Sequence, residues 1–555
     1  MKIIKCFTYF LTIFCSLHLQ VVLAQSLPVG QVSLEDYYRR QQLTGRTDSA
    51  ISFTIRPLSA HALGKTGDIF RPDSGWFRKS PGDNGFMILP FSWQNQFNSH
   101  HPYGWNDGAM IPAKGYQTML SGGFYLQKGW ISLQVKPEFV RAVNNSFDEF
   151  TKDHYGIIWV WYYNYYNNID LPVRFGNKAF VKVYPGQSSL RFNYKAMSAG
   201  LSTENLWWGP GVRNSLLMSN TAPGFLHFTL NTRKPVQTSI GSFEGQFIAG
   251  KLENSGYTPP DTTYSYLGTK LYQPKRNEDR YISGIVATWQ PKWTPGLFLG
   301  FARTSQLYSK DLNSFGDYFP FFKSFNSYSV SEKLNAPDRY TSLFMRWVWK
   351  EEQAEIYMEY GHNDQSRSFT EFIKEPNYGM AYIFGFRKLL PVSRSLDENI
   401  SVGLEVTQLS QSSPDIVRNA GGWYVDNNIR QGYTHYGENL GAGIGTGGNL
   451  QSLDVSWLKG LKMIGLQLER YVHNNDFYYY AYEPSNDFRR HWIDISLAAK
   501  TEWDYKKFIF NAKVQGIKSL NYQWYIFPGS APVYINEKGL DRLNIQLQFG
   551  LTYRF

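Results

Sequence analysis

The carboxy-terminal segment alternates strictly between two kinds of side chain. In residues 543–555 every odd-numbered position is apolar or aromatic, and every even-numbered position is polar, charged or glycine. A side-chain period of two places one set on each face of a strand. Soluble strands typically span about five to six residues, whereas about ten residues cross a bilayer when the strand is tilted. The pattern therefore predicts a transmembrane strand that ends on the aromatic residue Phe555.

The distribution of apolar residues narrows the fold class. Beyond the amino-terminal segment no run of eighteen apolar residues occurs, which excludes a helical membrane protein, while aromatic residues make up 17% of the chain. A large soluble β protein and a transmembrane barrel remain, because a barrel spreads its apolar residues along alternating strands and collects aromatic residues in girdles. The carboxy-terminal strand favours an all-β, transmembrane antiparallel β-barrel with a few short periplasmic or plug helices.

Weaker copies of the alternation predict further strands. They lie at residues 226–230, 297–301, 343–349, 356–360, 400–406, 493–497 and 508–514. Segments rich in Gly, Asn, Pro, Ser and Asp separate them and predict external loops at residues 313–338, 410–448 and 474–487. A short turn at Pro295-Gly296 is expected to face the periplasm. About 450 barrel residues at roughly 25 per strand give about 16 to 20 strands, and we predict eighteen.

The amino terminus has the order of a secretory signal peptide. Lys2 and Lys5 precede an apolar stretch, and a second apolar segment leads to Ala24. This order predicts cleavage between Ala24 and Gln25. A single-pass membrane anchor is the alternative, but the apolar core is short for a span.

Export also bears on redox chemistry and charge. Cys6 and Cys15 both lie in the segment to be removed, so the mature chain can form no disulfide. The formal charge falls from +11 to +9, because two of the 56 basic residues leave and none of the 45 acidic ones. This excess can favour an acidic glycan or anionic lipid headgroups, whereas no basic run is dense enough to predict a nucleic-acid partner.

A short helix is predicted before the barrel, from a cap at Ser33 to a stop at Gly45. It can be a periplasmic element or plug of the lumen, or a surface helix that tethers the mature terminus. The predicted organisation is a signal peptide at 1–24, a periplasmic helical segment at 25–60 and the barrel with its long loops at 61–555.

Two stretches of the chain resemble a known family. The first is residues 102–115, which lead to 122–123 and 135–138. The second is residues 200–211, followed by 214–220, 222–224 and 241–244. Together they resemble the Wzi family of capsule assembly proteins, in the form found in Bacteroidetes-type bacteria. The resemblance implies an outer-membrane barrel with small periplasmic helices that fill or cap the lumen, and a lectin that helps attach capsular polysaccharide at the cell surface.

One short segment offers candidate glycan contacts: Trp207, Trp208, Asn205 and Arg213. Tryptophan faces can stack on sugar rings, while amide and guanidinium groups can satisfy hydroxyl or carboxylate groups. The alternative is that Trp-Trp-Gly-Pro-Gly forms a corner between wall and turn, where its rings anchor the barrel or its plug.

A tyrosine-rich segment is a second candidate. It contains Tyr162, Tyr163, Tyr165 and Tyr166. These rings can stack on sugars in the same way. The alternative is an aromatic girdle at the membrane interface.

Catalytic and metal motifs are missing from the sequence. No histidine lies in a Gly-x-Ser-x-Gly elbow or a His-Glu-x-x-His helix, and the Glu351-Glu352 pair is simply explained as solvated charge. Acidic residues show no metal-ligand spacing. We therefore predict no catalytic residue, no metal site, no cofactor and no enzymatic activity.

The sequence favours an exported outer-membrane protein that binds and anchors capsular or other surface polysaccharide. A porin or solute channel is the alternative, and a surface enzyme is a third hypothesis. A porin needs an open polar bore, whereas a polysaccharide binder needs a closed bore and exposed aromatic loops. Further expected partners are outer-membrane lipid and the barrel insertion machinery, because a terminal strand ending in Phe555 resembles the signal that this machinery recognises.

Overall fold

The computed structural model describes residues 26–30, 32–63, 84–319, 336–363, 373–392, 397–411, 421–485, 491–525 and 540–555. The predicted signal peptide and its cleavage between Ala24 and Gln25 lie outside the described residues. Within these ranges, none of the helices has the length and apolar character that a membrane crossing requires.

The wall is a closed antiparallel barrel of eighteen strands, three of which are each built from two segments. They are β1 (Asn84–Asn98), β2 (Gly115–Lys128), β3 (Ile131–Val135 and Glu138–Ala142), β4 (Phe180–Tyr184 and Ser189–Tyr194), β5 (Met197–Ser202), β6 (His227–Thr232 and Val236–Thr238), β7 (Gly241–Leu252), β8 (Arg280–Pro291), β9 (Leu297–Tyr308), β10 (Asp338–Trp349), β11 (Ala354–His362), β12 (Met380–Pro391), β13 (Glu398–Gln408), β14 (Asn449–Lys459), β15 (Lys462–Val472), β16 (Ile493–Tyr505), β17 (Phe508–Leu520) and β18 (Arg542–Tyr553). Each strand pairs with its neighbours in sequence, and β18 pairs with β1 to close the barrel. The predicted fold class and strand number are confirmed.

The alternating pattern places apolar side chains outside the barrel. On β18, Leu543, Ile545 and Phe549 are exposed on the outer face, while Asn544 and Gln546 are buried on the lumen side. The seven other segments predicted from weaker alternation lie in wall strands, except that Leu226 precedes its strand by one residue. An apolar outer face is what a strand in contact with lipid requires.

The two ends of the barrel differ in the length of their connections. At one end, called the short-turn end, neighbouring strands join through short turns such as 129–130, 460–461 and the predicted turn at Pro295-Gly296. At the other, the long-loop end, the three predicted external loops connect β9 to β10, β13 to β14, and β15 to β16. The first described wall strand begins at Asn84, later than the predicted boundary at residue 61.

Several short helices and strand pairs are not part of the barrel wall. The helices are α1 (Val32–Leu43), α2 (Ala60–Leu63), α3 (Gly156–Asn167), α4 (Phe315–Tyr318) and α5 (Asn475–Tyr482). The pairs are Ser26–Leu27 with Leu58–Ser59, Ile55–Arg56 with Trp207–Trp208, Ser265–Tyr266 with Thr269–Lys270, and Thr434–His435 with Glu438–Asn439.

Helix α1 agrees with the predicted helix except at its start. It begins at Val32, so the predicted cap Ser33 lies inside the first turn, which corrects the predicted boundary. The predicted stop is confirmed: Gly45 has a positive φ of 75°, and its N–H donates to the carbonyl of Gln42. Glycine adopts this left-handed conformation without the steric cost that a Cβ brings.

The position of α1 decides between a plug and a surface tether. Leu43 packs against Phe298, Val348, Leu389 and Leu458, which are inward-facing residues of four wall strands near the short-turn end. These contacts place the helix inside the barrel as part of a plug.

Candidate functional site

The two stretches that carry the family resemblance lie against each other in the lumen. The side-chain amide of Asn106 donates to the carbonyl of Arg213 at 2.6 Å, and the N–H of Gly108 donates to the carbonyl of Asn220 at 2.8 Å. The amide of Asn220 returns a 2.9 Å bond to the carbonyl of Asn106. Polar residues of the two stretches thus hold two inward loops together.

The tryptophan pair belongs to the plug. Trp207 and Trp208 form a short antiparallel pair with Arg56 and Ile55 of the amino-terminal segment. The guanidinium of Arg56 lies over the Trp207 ring, 4.3 Å from its centroid. This pairing joins the loop between β5 and β6 to the segment that carries α1.

Trp208 is fully buried and fitted to the wall. Its indole N–H donates to Gln246 of β7 at 2.8 Å. Its ring lies so close to Gly284 of β8 that a Cβ there would come within 2.7 Å of a ring carbon. Glycine at position 284 therefore makes room for the plug.

The other two predicted contacts are also occupied by protein partners. Asn205 exchanges hydrogen bonds with the side chain of Gln187, and its amide donates to the carbonyl of Ala222 at 2.8 Å. Arg213 donates to Glu469 of β15, with an Nε to Oε1 distance of 2.9 Å. Both residues therefore hold the inward loop in place by hydrogen bonds to other parts of the protein.

These positions bear on the predicted glycan contacts. Trp207, Trp208 and Asn205 are buried, and Arg213 is ion-paired, so none offers a free face to a sugar in this conformation. The burial favours the alternative interpretation, in which Trp-Trp-Gly-Pro-Gly anchors the plug. Glycan contact by these four residues stays a prediction that requires the plug to open.

A wall carboxylate fixes the same loop through its backbone. Glu405 of β13 accepts N–H bonds from Val212, Arg213 and Asn214 at 2.7 to 3.1 Å. The hydroxyl of Tyr357 donates to it at 2.9 Å. A buried charge is stable only when such donors surround it, so the loop and Glu405 stabilise each other.

Helix α1 is held by a second buried carboxylate. Glu355 of β11 accepts from Arg39 of α1 at 2.8 Å and from Arg346 of β10 at 2.7 Å. Arg387 of β12 lies 3.8 Å from the same carboxylate. Three cations from the helix and two wall strands therefore share one anion.

Asp36 adds a further link between α1 and the wall. It pairs with Arg387 at 2.7 Å and with Arg40 at 2.7 Å. Burial raises the pKa of Asp36, but Arg387 and Arg40 outweigh burial and hold the pKa well below its usual range. The ion pair therefore persists at any pH near neutrality.

A second inward loop lies above the first, between β13 and β14. Its residues Trp423, Tyr424 and Tyr433 are buried, and the Tyr433 ring packs 4.7 Å from Tyr340 of the wall. The hydroxyl of Tyr424 donates to the carbonyl of Leu216 at 2.7 Å, which joins the two loops. The lumen is thus filled from the short-turn end upwards by α1 and two inward loops.

An aromatic layer at the long-loop end covers these loops, and we call it the canopy. It is formed by α3, α5 and nearby loop residues. Its buried members are Phe150, Ile158, Trp159, Tyr162, Tyr163, Phe477, Tyr478, Ala481, Tyr482 and Trp524. Phe150 stacks on Tyr162 with ring centroids 4.3 Å apart. The canopy is a small hydrophobic core of its own above the barrel.

The tyrosine-rich segment therefore lies in α3 and not in a membrane girdle, which corrects that alternative. Tyr162 and Tyr163 face the canopy interior. On the outer side, the half-buried Trp161 stacks on Tyr480 at 5.3 Å and 22°, and Tyr479 is 54% exposed. Stacked and exposed rings of this kind are suited to binding the apolar faces of sugars.

The contribution of α5 to this surface was not predicted from the sequence. The segment from Asn475 to Tyr482 lies in a stretch predicted only as an external loop. Its helix is capped by Asn474, whose side chain accepts from the N–H of Phe477 at 3.1 Å. The Asn cap before an aromatic run was the available signal for a helix start.

Acidification is expected to loosen the canopy through His154. Burial lowers the pKa of His154 to about 3, and its ring stacks 3.9 Å from Phe150. Because the folded-state pKa lies below the unfolded value of about 6.5, the stabilisation is complete above pH 6.5 and is lost as pH falls towards 3. We expect canopy opening to rise about tenfold per pH unit below 6.5, measured by hydrogen exchange of α3 and α5.

The variant His154→Gln supplies the control for this titration. It should remove most of the pH dependence between 6.5 and 4. His491, which packs on Tyr478 and whose pKa is also lowered by burial, supplies the remainder. An unchanged pH profile in the variant would contradict the assignment to His154.

Within the described ranges, no group of three or more His, Cys, Asp or Glu side chains is arranged to hold a metal ion. The described side chains at the long-loop end are mainly aromatic rings, amides and a few charged groups.

Comparisons with known proteins give a family and a fold. The family model described as Capsule assembly protein Wzi matches residues 108–514. Among solved structures, the chain is similar to Wzi of Escherichia coli, described as a carbohydrate-binding outer-membrane β-barrel involved in group 1 capsule assembly. Identity is 12%, the match covers 96% of this chain and 99% of that chain, and the TM-score is 0.58.

More distant similarities are also present. OccAB4 of Acinetobacter baumannii matches at 10% identity over 87% of this chain and 99% of that chain, with a TM-score of 0.38. OpdQ of Pseudomonas aeruginosa matches at 6% identity over 84% and 97%, with a TM-score of 0.37. No curated protein sequence matches the chain.

Proposed function

The chain belongs to the Wzi family of capsule assembly proteins, and from this membership we propose that it binds and anchors capsular or other surface polysaccharide by noncovalent, lectin-like contacts. It is an outer-membrane β-barrel. We further propose that the long-loop end faces the cell exterior and that the canopy takes part in binding.

The filled lumen is the observation that carries the proposal. Helix α1, the loop of residues 203–226 and the loop of residues 421–448 pack together inside the wall. A barrel of eighteen strands is otherwise wide enough to conduct solutes. Since the described segments fill it, binding at the long-loop surface explains the architecture better than transport does.

Other parts of the proposal rest on the sequence and on exposure. The Bacteroidetes-type form is supported by the motif at residues 200–211. Contact with outer-membrane lipid is supported by the exposed apolar face of β18, and recognition by the insertion machinery by its final residue, Phe555. A non-enzymatic role is supported by membership of the Wzi family.

The function is tested by deleting the chromosomal gene and measuring cell-attached and shed polysaccharide. We expect polysaccharide to move from the cells to the medium and the wild-type gene to restore attachment. Unchanged attachment in the deletion strain would reject the proposal. Solute channel activity would then be tested by bilayer conductance.

A further inference from the structure

The wall has an irregularity where β5 is short. β5 covers only Met197–Ser202 and pairs with Ser189–Tyr194, the second segment of β4. The first segment of β4, Phe180–Tyr184, pairs with β3 on one side. On its other side it pairs with none of the described strands.

A cavity of about 220 Å³ borders this half-paired segment at the long-loop end. Four aromatic residues line the cavity: Phe175 and Tyr184 are buried, and Tyr257 and Tyr436 are more exposed. Aromatic side chains border the cavity on several sides, and its exposed lining is mainly polar, which suits a polar ring such as one sugar residue.

Lys182 supplies a positive charge inside the cavity. Its Nζ lies 3.2 Å from the centroid of the Tyr436 ring and 4.8 Å from that of Tyr184. The described residues place no carboxylate within ion-pair distance of this ammonium group. Cation–π contacts hold the ammonium in position but do not neutralise its charge.

Two carboxylates near the cavity, those of Glu253 and Asp170, are engaged by other groups. Glu253 accepts from the Tyr436 hydroxyl and pairs with Lys251 at 3.2 Å. Asp170 accepts from the N–H and the hydroxyl of Ser255 at 2.7 and 2.6 Å. Lys182 therefore has no direct ion pair among the described residues and can bind a carboxylate of a ligand.

We propose that this cavity is a subsite for a carboxylate-bearing sugar residue, with Lys182 as the partner of the carboxylate and the surrounding aromatic residues as the walls of the cavity. The inference rests on the proposed function and names the class of polysaccharide that this surface recognises. A charge-assisted bond to one carboxylate selects an acidic sugar over its neutral counterpart.

The test uses surface polysaccharide purified from the producing strain, both native and after chemical reduction of its carboxylates to alcohols. Binding to the full barrel in nanodiscs is measured for wild type and for Lys182→Met, Lys182→Arg and Lys178→Met. Lys178 is an exposed lysine of the preceding loop and serves as the matched control.

We expect Lys182→Met to weaken binding of the native polymer about tenfold or more and to leave binding of the reduced polymer unchanged. Lys182→Arg should keep most of the affinity, and Lys178→Met should behave as wild type. The proposal is overturned if wild type binds both polymers equally, if Lys182→Met binds the native polymer normally, or if Lys178→Met loses as much.

Different results would reject the proposed function and the subsite. If wild type binds neither polymer and gene deletion sheds nothing, the proposed function fails and the subsite with it. If deletion sheds polysaccharide but reduction of its carboxylates does not weaken binding, only the subsite fails.

Discussion

The variant Glu355→Ala is expected to release α1 from the wall, with a loss of about 3–5 kcal/mol in the stability of the plug. The substitution leaves Arg39, Arg346 and Arg387 buried without their shared anion. An unpaired buried charge costs far more than the lost pair contributes, because it remains removed from water. We expect intermittent ion conductance in planar bilayers and faster proteolysis of α1.

Two further variants test the cause of that effect. Glu352→Ala removes an exposed carboxylate at a nearby turn, where pairing with Lys388 contributes little, and should leave the stability of the plug unchanged. Adding Arg346→Met to Glu355→Ala should recover part of the loss, since one orphaned charge is removed. A closed, protease-resistant barrel in Glu355→Ala would contradict the role given to this cluster.

The double variant Trp161→Ala, Tyr479→Ala is expected to weaken polysaccharide retention about tenfold. The two rings contribute to the outer aromatic surface of the canopy, and each lost stacking face removes about 0.7 kcal/mol, so the two together give a factor of about ten. The measurement compares cell-attached with shed polysaccharide in a deletion strain that carries each variant.

Trp130→Ala is the matched control, because Trp130 is 62% exposed in a turn at the opposite, short-turn end. It should retain polysaccharide as wild type does, at equal protein levels in the outer membrane. The canopy would not be part of the binding surface if Trp130→Ala and the double variant lost equal amounts of polysaccharide, or if the double variant retained polysaccharide normally.

The wall strands that the sequence predicts are those with contrasting faces. β18 meets lipid on one side and polar lumen groups on the other, so its alternation is unbroken. β8 was not predicted, because Ile282 and Val286 on its lumen side are apolar and pack against the plug. In a plugged barrel, strands whose lumen side packs against the plug can therefore lack the alternation of apolar and polar residues by which strands are predicted.

The inward loops could not be predicted for a different reason. The loop of residues 421–448 has the glycine-rich, polar composition of an exposed loop, yet Trp423 and Tyr424 within it are buried. Glycine at 441 lets the backbone approach the Tyr424 ring, where a Cβ would lie 2.3 Å from its hydroxyl oxygen. Composition alone does not distinguish close packing of this kind from solvent exposure.

The burial of Trp207 and Trp208 could not be predicted from the sequence either. Their residue types suit sugar binding, but their partners lie at Ile55 and Arg56, about 150 residues earlier in the chain. Only the fold shows that the rings turn inward. The exposed aromatic surface lies instead on α3 and α5, of which the sequence indicated only the tyrosine-rich half.

Direct titration of the purified surface polysaccharide onto the wild-type barrel in nanodiscs tests the central claim. We expect saturable binding that is weakened in the double variant Trp161→Ala, Tyr479→Ala and unchanged in the Trp130→Ala control. We also expect no steady conductance through the closed barrel. Absence of binding, together with an open-channel current from the wild-type protein, would contradict it and establish a solute channel in its place.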